Sequence, residues 1–146
     1  MGLLARFRRP GGLEKLVALI EGADAKTKEN LIKSIREEDP EYAKVVEERI
    51  FNWSDLFMLD DMTLSDILNT VHPKTLALAL CFVDDGQKQY LLGRLNHIAA
   101  MRIHEEIDIL GDKAEKGMVA TARRKVIETA RQLEQSGKFV LKKTAG

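Results

Sequence analysis

An all-α fold, built from short helical hairpins stacked as in an α-solenoid, is predicted for this 146-residue chain. Three observations carry the prediction. From Leu13 onward apolar residues recur at helix spacing almost everywhere. The breaks between these runs hold residues that cap helices, such as Asp39-Pro40-Glu41, Asn96, Gly111 and Gly137. The one alternating segment, Lys138–Lys142, has no second strand to pair with and reads as extended coil.

Taken in order, residues 1–10 (MGLLARFRRP) are basic and end at Pro10-Gly11-Gly12. They read as a frayed tail, with a weak membrane-surface or partner anchor as the functional alternative, because Leu3, Leu4 and Phe7 lie among Arg6, Arg8 and Arg9. Leu13, Leu16, Val17 and Ile20 mark a first helix that stops at Gly22, and Leu31, Ile32 and Ile35 mark a second. Asp39 caps a third helix opened by Pro40, with Tyr42, Val45, Val46 and Ile50 along one side. Thr63 with Asp66 resembles a capping box ahead of Leu64, Ile67, Leu68 and Val71. Pro73 opens a helix over Thr75–Val83 that is apolar nearly all round and so belongs at the centre. Asp84 with Gln87 starts the next, Asn96 caps one that runs to Gly111, and a long last helix covers Glu115–Ser136. Met118, Ala122, Val126, Ala130 and Leu133 form its expected inner side. Three short helices over 13–50 do not readily enclose their own apolar side, so Leu16, Leu31, Ile35 and Val46 are expected to form a stacking surface for another copy, a partner or the rest of the chain.

Bulk properties narrow the function. Lys+Arg and Asp+Glu are equal at 23 each, so no global charge draws the chain to nucleic acid or to an anionic membrane. The single cysteine, Cys81, forms no internal disulfide, which gives no sign of secretion. The longest apolar run, Leu76–Val83, falls far short of the ~20 residues that span a bilayer. The chemistry inventory points away from catalysis. The sequence holds no phosphate-cradling glycine loop, and His104-Glu105-Glu106-Ile107-Asp108 begins like a zinc-protease helix but ends in Asp. His97, His104 and Asp108 share a helical side, but no cysteine or further histidine completes a ligand set. The stripe reads as a solvated polar side, and no metal or other cofactor is expected. The adjacent acids Asp60-Asp61, Asp84-Asp85 and Glu105-Glu106 diverge on a helix or turn and suit capping better than acid–base work.

Four stretches in order resemble the C-terminal region of the flagellar motor switch family FliG: Gly11-Gly12 with the segment through EEDPEYAKVVEERI; Ile50-Phe51-Asn52-Trp53, similar to a Met-Phe-x-Phe hinge; Leu59-Asp60-Asp61; and the closing ARRKVIETARQLEQSGKFVL. The likeness covers about residues 11–142. It implies an armadillo-like helical subdomain at 11–50, a hinge at 50–53 and a terminal, torque-domain-like helical subdomain at 54–142, followed by a tail at 143–146. The family's N-terminal domain and most of its middle domain have no counterpart here, which suggests a divergent stand-alone paralogue. The resemblance implies a non-enzymatic interaction module that transmits torque or reorients during switching. Its expected partners are other flagellar switch proteins or the stator's cytoplasmic loop, with self-association by helical stacking and no nucleic acid. Its expected location is cytoplasmic, with at most peripheral membrane contact at the flagellar base. Alternatives are a scaffold or regulatory protein of the same fold outside the motor, and a small helical metal-dependent enzyme.

In the family a charged ridge on one helix faces the stator, and Asn96–Leu110 is its counterpart. Glu105 and Glu106 fall where the family carries paired acids, while its basic positions align with Cys81, Ile98 and Ala114. Arg94 and Arg102 are candidates to restore the positive charge, unless Glu105 or Glu106 neutralises Arg102 along the helix. Ala99, Ala100, Ile103, Ile107 and Leu110 form the inward stripe, which puts Ile98 and Ile109 on the outer side with Arg102 and Glu105. Two isoleucines on an outer side point to a covered face. The expected stator- or partner-facing set is therefore Arg94, Ile98, Arg102, Glu105, Glu106 and Ile109, and the expected pivot is Ile50, Phe51, Asn52 and Trp53.

Overall fold

A computed structural model describes residues 3–7 and 10–141. Arg8, Arg9, Lys142 and the tail at 143–146 lie outside the described residues, as do the side chains of Leu3 and Arg6. No strand occurs among the described residues, and the fold is all-α. The chain divides into two compact units, Met1–Asn52 and Trp53–Gly146.

The first unit holds a 3₁₀ helix at Leu3–Phe7 and three α-helices: α1 (Gly12–Glu21), α2 (Ala25–Glu38) and α3 (Pro40–Arg49). Asp24 and Asp39 cap α2 and α3 by accepting the N–H groups of Thr27 and Tyr42. The expected frayed tail is corrected over Leu3–Phe7. Leu4 is fully buried beside Leu16, Val17, Ile20, Ile35, Ala43, Val46 and Ile50, and its N–H donates to Glu38 Oε2 at 3.1 Å. Gly11 takes a left-handed φ of 80°, and Gly12 approaches Phe7 so closely that a Cβ there would lie 2.0 Å from the Phe7 carbonyl oxygen. The glycine pair is thus the corner that folds this segment back onto α1. It also settles how three short helices close a core, because Leu4 and the half-buried Phe7 form the missing fourth wall.

The second unit opens on a 3₁₀ helix, Trp53–Met58, followed by α4 (Asp61–Thr70), α5 (Pro73–Ala79), α6 (Asp85–Leu92), α7 (His97–Leu110), a 3₁₀ turn at Gly111–Lys113 and α8 (Lys116–Gln135). The Trp53–Met58 helix falls between the runs at which helices are predicted. Asp60, not Thr63, caps α4 by accepting the Thr63 N–H. The side chain of Thr63, then its N–H, hold the Asp60 carboxyl below its ordinary value. Helix α5 packs on both α7 and α8, the central place its all-round apolarity predicts. It ends at Ala79, short of the predicted Val83, because Phe82 adopts a left-handed φ of 65° and the carbonyls of Ala79 and Cys81 accept hydrogen bonds from Arg123. The inner side of α8 keeps Ala122, Val126 and Ala130 of the expected stripe and adds Val119 and Ile127, while Leu133 is half-buried and Met118 is exposed.

Candidate protein-interaction surface

Helix α7 is fixed at both ends by local chemistry. Asn96 Oδ1 accepts the Ala99 N–H at 2.8 Å, and Gly111 ends the helix with a φ of 48°. Ile103 is buried, Ala99, Ala100, Ile107 and Leu110 are half-buried, and this side meets α5. The opposite side holds large apolar residues in solvent: Ile98 is 80% exposed and Ile109 68% exposed, with Met101 also exposed. Arg102 and Glu105 lie between them, both exposed, and neither makes an ion pair with any described residue. The neutralisation of Arg102 along its own helix is therefore absent, although Glu105 and Glu106 stand one turn on. Glu106 is half-buried, so of the acid pair only Glu105 stands fully on the outer side.

Beside the first turn of α7 lies an open apolar groove of about 590 Å³, lined by Leu68, Val71, Pro73, Leu76 and Leu95. Ile98 and Arg102 form part of its rim. The same side chains therefore bound a concave site and a helix face.

Arg94 does not join this surface. Its guanidinium lies over the Tyr90 ring at 4.3 Å, and its Nε lies 2.9 Å from Asp61 Oδ1, a charge contact whose N–H direction misses the oxygen. The expectation that Arg94 supplies the ridge's missing positive charge is corrected, because its side chain is folded back on its own unit. The stacking set is corrected for the same kind of reason. Leu16, Ile35 and Val46 are at most 1% exposed within the first unit's core, and Leu31 packs against that core half-buried, so these four do not form an open face.

The four junction residues divide between the units. Ile50 and Phe51 are buried, and the Phe51 N–H donates to the buried Glu21 at 2.7 Å. Asn52 Oδ1 accepts from Lys28 Nζ at 2.6 Å. Trp53 starts the second unit. It stands edge-on to Phe57 at 6.4 Å, Phe57 meets Tyr90 at 5.7 Å, and the Arg123 guanidinium lies over the Trp53 ring at 5.2 Å. The Trp53 Nε1 is buried with no hydrogen-bond partner among the described residues. The change of unit thus falls at the single Asn52–Trp53 link.

Sequence reasoning missed Glu21 and Arg123. Only Arg123 carried a signal, as a charged residue within the buried arc of α8, between Ala130 and Ile127 on the helical wheel, whereas Glu21 lies beyond the apolar arc of α1. Cys81 is half-buried beside Arg123. Burial raises its thiol pKa, and the charges of Lys88 and Arg123 offset this only in part. Thiolate, the reactive form, is therefore scarcer in the folded chain than in the unfolded one. At pH 8 alkylation of Cys81 by iodoacetamide is expected to run several-fold slower in buffer than in urea, and equal rates would contradict this placement.

His97 and His104 stand exposed on α7, and among the described residues no group of three or more His, Cys, Asp or Glu is placed to hold a metal ion. No helix of the described residues is long and apolar enough to cross a membrane.

A profile of the FliG C-terminal domain matches residues 33–141. The flagellar motor switch protein FliG of Borreliella burgdorferi is 31% identical over 92% of this chain and 39% of its own length. That of Thermotoga maritima is 28% identical over 99% of this chain and 43% of its own. The chain thus spans about two fifths of the length of these relatives. The structure of Helicobacter pylori FliG residues 86–343 superposes over 92% of this chain and 63% of its own, at 26% identity and a TM-score of 0.63. Full-length Aquifex aeolicus FliG does so over 86% of this chain and 39% of its own, at 28% identity and a TM-score of 0.56.

Proposed function

The chain belongs to the FliG C-terminal domain family, and from that premise we propose that it works as a non-catalytic protein-interaction module on the rotor side of the flagellar motor switch. The first unit serves as the armadillo-like subdomain, and Trp53–Gly146 serves as the torque-domain-like subdomain. Helix α7 is the surface that meets a motor partner, another switch protein or the stator's cytoplasmic loop, in the cytoplasm at the flagellar base. The Asn52–Trp53 link is the pivot. The work is done by contact and reorientation, with no bond made or broken.

The observation that carries this reading is the outer side of α7, where Ile98 and Ile109 stand at 80% and 68% exposure around Arg102 and Glu105, neither of which is paired among the described residues. Isolated exposed apolar residues need no explanation, but two isoleucines and a methionine on one face beside an apolar groove are what a protein partner covers. The resemblance aligns the family's basic positions with Cys81, Ile98 and Ala114, and on that reading the contact leans more on apolar burial than on long-range charge.

The test is charge reversal of both acids, Glu105→Lys with Glu106→Lys, in the organism that carries this chain. Tethered-cell rotation or switching frequency is expected to fall severalfold, and binding to purified motor partners about tenfold or more; Glu105→Lys alone, at the exposed site, leaves the melting temperature nearly constant and separates lost contact from lost stability at the half-buried Glu106. Unchanged rotation together with unchanged partner binding would sink the reading.

A further inference from the structure

The outer side of α7 has an order that partner binding alone does not require. Ile98, Arg102, Glu105 and Ile109 are spaced 4, 3 and 4 residues apart, so they fall in one stripe about 60° wide and roughly 16 Å long. Along it the character runs apolar, cation, anion, apolar. The midpoint between Ile98 and Ile109 is also the midpoint between Arg102 and Glu105. A second identical helix, turned end for end, therefore places isoleucine against isoleucine at both ends and opposite charges against each other in the middle.

We infer that a second copy of this chain is an occupant of this face, through an antiparallel α7–α7 pair with a two-fold axis between residues 103 and 104. A two-fold interface requires a self-complementary patch, and this stripe is one. Ile98 of one copy meets Ile109 of the other, and Arg102 of each meets Glu105 of the other. The groove lined by Leu68, Val71, Pro73 and Leu76 opens beside Ile98, where it can receive the isoleucine that arrives from the second copy. Arg102 and Glu105 are free for the exchange, since neither is paired within the described chain.

One pair of 14-residue helices buries less than the ~1,200–2,000 Å² of a stable complex. The pair is accordingly weak between free molecules, and it gains weight where copies are held close together, as effective concentration dictates. It also covers the residues assigned to the motor partner, so self-pairing and partner binding exclude one another. The inference does not depend on which partner that is, or on the chain acting in a motor, because it is read from the purified chain alone.

The experiment is sedimentation equilibrium on the full chain and its charge swaps. The wild-type chain is expected to self-associate at concentrations of hundreds of micromolar. R102E and E105R each pair like charges in their own dimer and are expected to associate about tenfold more weakly. An equal mixture of R102E and E105R restores every charge pair and is expected to regain wild-type association, as is the double variant R102E/E105R. Circular dichroism of each single variant checks that it is folded, and the mixture rescues only folded chains. A wild-type chain that stays monomeric to 1 mM overturns the inference. So does association untouched by either single swap, which marks another face, and so does a mixture no stronger than its components.

Discussion

Leu4→Ala is expected to unfold most of the N-terminal unit. Leu4 is fully buried among side chains of α1, α2 and α3, although it comes from a five-residue 3₁₀ helix at the start of the chain. Truncating a buried leucine to alanine costs about 2–5 kcal/mol, the loss of transfer free energy plus the cavity left behind. A unit of this size holds on the order of 3–8 kcal/mol in total, taking about 0.05–0.15 kcal/mol per residue. The substitution therefore removes most of the margin. Hydrogen exchange resolved by segment is the direct readout: amides across α1–α3 should lose protection by one to three orders of magnitude. Gly12→Ala tests the same docking from the other side. A Cβ at Gly12 meets the Phe7 backbone, so the 3₁₀ helix must move away and take Leu4 with it. If α1–α3 keep their protection in both variants, residues 3–7 do not form the fourth wall of the core.

The same segment shows where sequence legibility ends. Local signals were readable because each resides in a few neighbouring residues. Asp39, Asp84 and Asn96 cap their helices as predicted, and Gly111 and Gly137 end theirs with positive φ. The outer placement of Ile98 and Ile109 follows from the 3.6-residue repeat alone and is what the structure has. What was not readable depends on residues far apart in the chain. Leu4 is buried through contacts that include Glu38, 34 residues away, and no local pattern in MGLLARF announces them. Once Leu4 is seated, Leu16, Ile35 and Val46 have an internal partner and the expected stacking surface disappears.

On the candidate surface the division is similar. Periodicity places Arg102 and Glu105 correctly, but it assigns Arg94 by sequence offset, and the Tyr90 ring with Asp61 captures that side chain instead. Competition between local caps also defeats sequence reading at α4. Asp60 and Thr63 are both good N-cap residues, and the choice of Asp60 starts the helix at Asp61, two residues before the Thr63 that the capping-box reading favoured. The junction was legible as a place, because Phe51 and Trp53 flank a break in the helical pattern. Its division into a buried Phe51 tied to Glu21 and a Trp53 tied to Arg123 was not, since both charged residues lie at least 30 positions away.

Arg123→Ala is expected to be the most damaging polar substitution in the second unit. Its guanidinium donates from Nε to the Ala79 carbonyl at 2.9 Å and from Nη2 to the Cys81 carbonyl at 2.8 Å, and its flat face covers Trp53. The Ala79 carbonyl is in the last turn of α5, where no further turn satisfies it, and the Cys81 carbonyl is in the turn that follows. Hydrogen bonds from a charged donor are worth about 1.5–3 kcal/mol each, and cation–π contact about 0.5–1 kcal/mol more. Partial exposure of the side chain argues for the lower end, so a loss of about 3 kcal/mol is expected, or a melting temperature lower by roughly 10–20 °C for a unit of this size. Burial lowers the pKa of this guanidinium, yet it stays charged throughout the working pH range, so the loss should be independent of pH between 6 and 9. Trp53 emission should shift in the same variant, because the ring loses the cation above it. Arg123→Lys separates charge from geometry: a single ammonium keeps the charge but not the two-pronged reach, so it should recover less than half of the lost stability. Full recovery by lysine would mean that these two carbonyls need only a nearby positive charge, and a wild-type melting temperature in Arg123→Ala would mean that the link from α8 to the end of α5 holds nothing in place.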